Sequence, residues 1–129
     1  MTSAVLDASA LLAMLLGEPG GGKVKAVLAE AAMTTVNLSE VASFYARAGA
    51  DELEVRRLLS ALPITFVHFD EDLAYAAAML VPAVRRAGLS LGDRACLALA
   101  ARLGAPALTA DREWGRIASA VGISVEVLR

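Results

Sequence analysis

The stretch Gly88-Leu89-Ser90-Leu91-Gly92-Asp93-Arg94-Ala95-Cys96-Leu97-Ala98-Leu99-Ala100-Ala101-Arg102-Leu103 decides how this chain folds. Ser90 is a good helix N-cap, and Asp93 stands three residues later, where a capping-box acid belongs. From Leu91 to Leu103 nearly every side chain is apolar. A helix that is apolar on most sides belongs in the centre of a fold. Gly104-Ala105-Pro106 then leads to the apolar run Ala107-Leu108-Thr109, which reads as a buried strand.

The same alternation extends to both ends of the chain. Ala4 to Leu6 is a short strand ending at Asp7, and Ser9 precedes the helical run Ala10 to Leu16. Gly17 to Gly22 reads as irregular, Lys23 to Ala32 as helix and Met33 to Val36 as a second strand. Asn37-Leu38-Ser39-Glu40 opens a helix closed by Gly49, and a further helix runs from Asp51 to Leu62. Ile64 to Phe69 is rich in β-formers, and the face of Ile64, Phe66 and His68 makes His68 a strand residue with nothing converging on it. Asp70 begins a long helix toward Ala87, which Pro82 should bend or restart because it lacks a backbone donor. Asp111 opens a short helical segment in which Trp114 packs the end of the core, and Ile123 to Leu128 is the last strand. Strands separated by helices over residues 1–129 predict a single α/β domain with a largely parallel sheet flanked by helices.

Composition supports this and excludes other classes. The chain has 129 residues, 57% apolar and 20% charged, too many apolar residues for disorder and too few residues for two cores. Cys96 is alone, as a small core residue in a reducing cytoplasm would be. The run Leu73 to Val84 is shorter than the ~18 residues that span a bilayer, so no membrane is expected. Fourteen acids against twelve bases give a net charge of −2, which at first argues against a nucleic-acid partner.

Ligands of an open parallel sheet bind beyond the carboxyl ends of its strands. Asp7 ends the first strand, Glu40 follows the second, Asp111 lies two residues past Thr109, and Asp93 is in the first turn of the central helix. Each has an ordinary role open to it. Asn37-x-x-Glu40 and Ser90-x-x-Asp93 have capping-box spacing, and Asp7 and Asp111 can cap the helices after them. Together, four converging carboxylates repel one another and raise their own pKa values unless a cation lies between them. With no Cys or His cluster for zinc, a hard Mg²⁺ or Mn²⁺ suits the oxygens. Asp70, Glu71 and Asp72 also follow a strand and compete for the role, with first-turn helix acids as their ordinary reading.

Val5-Leu6-Asp7-Ala8-Ser9-Ala10-Leu11-Leu12, Asn37-x-Ser39-Glu40-Val41, Gly88 to Ala100 and Leu108-Thr109-Ala110-Asp111-Arg112-x-Trp114 resemble, in order, the motifs of the PIN-domain ribonucleases. More narrowly they resemble the VapC toxins of toxin–antitoxin pairs. The resemblance implies a PIN-like three-layer domain and a catalytic, metal-holding quartet of Asp7, Glu40, Asp93 and Asp111, leaving out the Asp70 group. It also implies a homodimer blocked by a cognate antitoxin. The glycine run at 20–22 and Pro82 are not family signatures.

One or two Mg²⁺ or Mn²⁺ ions in the quartet would polarise a scissile RNA phosphate and lower the pKa of a water for in-line attack. Two ions, about 3.5–4 Å apart, would favour products with a 5′-phosphate and a 3′-hydroxyl. Ser9 and Thr109 are placed to hydrogen-bond the ligand carboxylates, unless their hydroxyls bond locally. Arg94 and Arg112 each follow a proposed ligand and are candidates for substrate phosphates or for ion pairs with the acids.

Gly17-Glu18-Pro19-Gly20-Gly21-Gly22-Lys23-Val24 has phosphate-loop spacing, but Val24 lacks the hydroxyl needed for Mg²⁺ and no strand precedes it. Two other readings stay open: a non-catalytic, metal-binding receiver-like or interaction domain, and an RNA-processing nuclease without antitoxin. A receiver needs a lysine after a late strand, whereas the lysines here are Lys23 and Lys25. If cations neutralise the quartet, ten acids remain against twelve bases. The overall charge then no longer opposes RNA.

Overall fold

The computed structural model of the chain describes residues 1–85 and 88–129. Strands β1 (Ala4–Leu6), β2 (Ala31–Thr34), β3 (Thr65–Val67), β4 (Ala107–Thr109) and β5 (Val125–Val127) form one sheet of order β3-β2-β1-β4-β5. Every neighbouring pair is parallel, with Val5 opposite both Ala32 and Ala107. The connecting helices are α1 (Ala8–Leu15), α2 (Gly21–Val27), α3 (Thr35–Arg47), α4 (Glu52–Ser60), α5 (Glu71–Met79), α6 (Val81–Val84), α7 (Leu91–Leu103) and α8 (Trp114–Val121).

Alternation along the strands sorts the core into two layers. Ala4, Leu6, Ala31, Met33 and Leu108 face one cluster with Leu11, Val24, Val41 and Leu59 of α1 to α4. Val5, Ala32 and Ala107 face the other, with Leu73, Leu97, Leu99, Trp114 and Ile117 of α5, α7 and α8. Both faces of the sheet are covered, so its central strands are continuously apolar. This is the three-layer α/β domain that the sequence predicts. Trp114 is fully buried, and seven residues of α7 are buried in the middle of the fold. Among the described residues, no helix is long and apolar enough to cross a membrane.

Several boundaries differ from the sequence reading. Helix α2 starts at Gly21, inside the stretch read as irregular, and stops at Val27. A 3₁₀ turn over Leu28–Glu30 follows, and β2 begins at Ala31, two residues earlier than expected. Gly20 and Gly21 are packing requirements rather than a phosphate cradle. A Cβ at Gly20 would meet Leu128, one at Gly21 would meet the Ala13 carbonyl, and Gly20 has φ +91°. The helix begun after Asp70 ends at Met79 and restarts at Val81 with Pro82 in its first turn, as a missing N–H requires. Its expected end at Ala87 lies outside the described residues.

Candidate active site

All five strands point the same way, so the loops after β1, β2 and β4 open on one edge. Asp7 directly follows β1, Glu40 lies in the second turn of α3, Asp93 in the first turn of α7, and Asp111 two residues past β4. Asp70, the competitor, instead caps α5 through the Leu73 N–H and takes both ends of the Arg102 guanidinium at 3.0 and 3.2 Å. That pair holds its carboxyl below the usual range, first through the Arg102 hydrogen bonds.

Asp7 is the most deeply set of the four, at 5% exposure. Its Oδ1 accepts from the Ala10 N–H at 2.8 Å, capping α1, and from the Ser9 hydroxyl at 2.7 Å. Its Oδ2 accepts from the Thr109 hydroxyl at 2.5 Å. These bonds favour the charged form, yet burial outweighs them, with a smaller contribution from Asp93, and the carboxyl is pushed up to about 6. Ser9 also accepts from the Ala110 N–H and Thr109 from the Asp111 N–H, so both hydroxyls tie the β1 end to the β4 end.

The second acid is set by an arrangement that the sequence reading missed. Asn37 and Glu40 do not form a capping box. Because β2 ends earlier, Thr34 is the N-cap of α3 and Asn37 lies inside the helix, fully buried. The Asn37 Nδ2 donates to Glu40 Oε1 at 2.9 Å and to the Gly92 carbonyl at 3.0 Å. A Cβ at Gly92 would fall on the Glu40 carboxylate, so any larger residue there would displace the Glu40 side chain from its present position. The glycine before Asp93 was the available signal, but its partner lies 52 residues away in the chain.

Ser90 and Asp93 form the capping box that their spacing predicts, with both reciprocal bonds present. Asp111 is exposed and caps no helix, since α8 starts at Trp114; its Oδ1 accepts from the Glu113 N–H. Arg94 makes no ion pair with the acids among the described residues; it donates from one terminal nitrogen to the Ala77 carbonyl of α5 at 3.0 Å, and its Nε is buried without a partner. Arg112 is exposed, with its Nε on the Arg129 carbonyl. His68 is exposed. Cys96 is buried, and its thiol is raised well above the ordinary value by burial and then by Asp7, Asp93 and Glu40. All three carboxylates thus lie near enough to the thiol to disfavour its ionisation.

Capping and ligation are compatible, because an ionised carboxylate offers about four lone-pair positions. Asp7 spends three of them on the protein; Glu40, Asp93 and Asp111 each keep one oxygen without a protein partner among the described residues. As placed, no three His, Cys, Asp or Glu side chains among the described residues close around an ion. Asp93, through its capping box, and Asp111, through the Glu113 N–H of its loop, are both turned toward their own backbone. The donor set nevertheless fits a hard divalent cation. It is all oxygen, and no ion pair with Lys or Arg neutralises any of the four acids among the described residues.

In comparisons with known proteins, the chain is similar over its whole length to DNA-bound VapBC from Salmonella typhimurium, with TM-score 0.76, 16% identity and 100% of both chains covered. A toxin–antitoxin complex from Klebsiella pneumoniae gives TM-score 0.76 at 19% identity over 98% of each chain. VapBC-5 from Mycobacterium tuberculosis gives TM-score 0.61 at 23% identity over 100% of this chain and 99% of that one. At these identities the likeness is one of fold. No curated protein matches significantly in sequence. The family model described as PIN domain matches residues 4–120, so the chain belongs to the PIN-domain family.

Proposed function

We propose that this protein is a metal-dependent endoribonuclease of the VapC toxin type, which hydrolyses RNA phosphodiester bonds in the cytoplasm and is held inactive by a cognate antitoxin. The observation that carries this reading is the buried Asp7. Its carboxyl is raised to about 6, Asp93 acts on it, and no basic partner balances it among the described residues. A residue needed only to cap α1 could be a serine, which caps without a buried charge. Retaining the charge makes sense where a cation neutralises it.

Asp7, Glu40, Asp93 and Asp111 would hold Mg²⁺ or Mn²⁺. When bound, the ion supplies phosphate polarisation and a lowered water pKa. The chain's residues do the rest by placement. Ser9 and Thr109 keep Asp7 ionised and aimed through two O–H donors. Arg94 is half-buried against α5, whereas Arg112 beside Asp111 is exposed, which makes Arg112 the better suited of the two to a substrate phosphate. The toxin–antitoxin assemblies among the structural neighbours support an antitoxin partner, and the motif resemblance implies a homodimer.

The test is incubation of purified protein with defined RNAs in Mn²⁺, Mg²⁺ or EDTA, alongside Asp7→Asn and Asp93→Asn. Cleavage should require the metal and vanish in both variants. Cleavage in EDTA, or full activity in both variants, defeats the proposal. A small antitoxin gene beside this one would separate a toxin from an RNA-processing nuclease.

A further inference from the structure

We infer that Asn37 is a positioning residue, whose buried side-chain amide holds the Glu40 carboxylate and the Gly92–Asp93 peptide unit in one register. This deepens the metal-site reading above and rests on it.

The amide has one satisfied orientation. The Thr34 hydroxyl donates to Asn37 Oδ1 at 2.7 Å and itself accepts from the Asn37 backbone N–H at 3.1 Å. With its oxygen fixed there, Nδ2 faces α7 and α3 and uses its two hydrogens on the Gly92 carbonyl and Glu40 Oε1. All polar capacity of the group is then matched except one oxygen lone pair. A residue retained only for helix capping would need none of the cross-helix bond, because Thr34 already caps α3. The Gly92 carbonyl belongs to the same peptide plane as the Asp93 nitrogen, so gripping one orients the other. Asn37 and Thr34 are both fully buried, which removes competing water and holds the geometry rigid. Two acids from separate helices are thereby kept at a fixed separation, with Glu40 lying in the gap that the missing Cβ of Gly92 leaves.

The experiment compares Mn²⁺ binding to wild type and Asn37→Ala by titration calorimetry, at a temperature where circular dichroism shows both folded. Asn37→Ala should weaken Mn²⁺ by about 10- to 100-fold, the usual effect of removing a ligand's own hydrogen-bond partner. A folded variant that binds Mn²⁺ like wild type overturns the inference and leaves the proposed function standing. Wild type that binds no Mn²⁺ overturns both. Should Asn37→Ala not fold, the wild-type protein decides: the Asn37 side-chain amide signal in a ¹⁵N NMR spectrum should shift along the same isotherm as Mg²⁺ binds. An unmoved signal at saturating Mg²⁺ overturns the inference.

Discussion

Asp7 and Asp111 follow adjacent parallel strands, β1 and β4, and end in opposite physical situations. Asp7 is buried under three hydrogen bonds from protein donors, whereas Asp111 is exposed and serves one local turn. Thr109 stands between them, donating to the first carboxylate and accepting from the backbone of the second. Position at a strand end therefore does not decide what an acid does; the donors around it do. Asp7 carries a buried charge held by donors from two strand ends, whereas Asp111 answers only to its own loop.

The largest effect should come from Asp7→Asn. Its loss of RNA cleavage should exceed the roughly 10- to 100-fold typical of removing a ligand's partner, while its metal-free form melts above wild type at pH 7. A variant that keeps activity, or that melts well below wild type, would break the contrast.

Next comes pH. The Asp7 carboxyl sits at about 6 when folded against 3.8 unfolded, so the native state binds its proton more tightly. Its contribution to stability is full below about pH 4 and lost as pH rises through about 6, on the order of 3 kcal/mol in all. Urea unfolding without metal should show this decline in wild type and not in Asp7→Asn. Parallel curves for the two proteins would remove Asp7 as its source.

Thr109→Val should follow, because the shape is kept while Asp7 loses a donor and the Asp111 N–H an acceptor. The cost should be about 1–3 kcal/mol in urea melts. Asp111→Asn should be the mildest for the fold, within about 0.5 kcal/mol of wild type, while weakening Mn²⁺ in calorimetry. If Asp111→Asn unfolds as easily as Thr109→Val, the division between the two acids is wrong; if its Mn²⁺ affinity is unchanged, Asp111 is no ligand.

What the residues reveal by themselves depends on how local the causes are. The Ser90 and Asp93 capping box, the restart at Pro82 and the apolar α7 rest on neighbours within a turn, and they are found as expected. The start of β2 was misplaced because Ala31 and Ala32 have little strand propensity of their own; pairing with β1 and β3 makes them strand. With the strand placed through Val36, Asn37 reads as a helix cap, whereas β2 ends at Thr34, which takes that place. The Asn37 amide answers to Gly92, 55 residues away, which no local pattern encodes. The places of the four candidate acids, at strand ends and in early helix turns, are legible in the sequence, but the turning of Asp93 and Asp111 toward their own backbone is not.

The sheet order has a consequence for how the protein comes into being. Strand β1 lies at the centre of the sheet, and its second neighbour, β4, comes only after β2 and β3 in the chain. The bond from Thr109 to Asp7 spans 102 residues of chain, so ordering of Asp7 must await a contact of very high sequence separation. A nascent chain that has not reached Thr109 has only the Ser9 and Ala10 donors to hold Asp7. Any activity that depends on a fully held Asp7 would thus wait until β4 has been made, whatever restrains it afterwards.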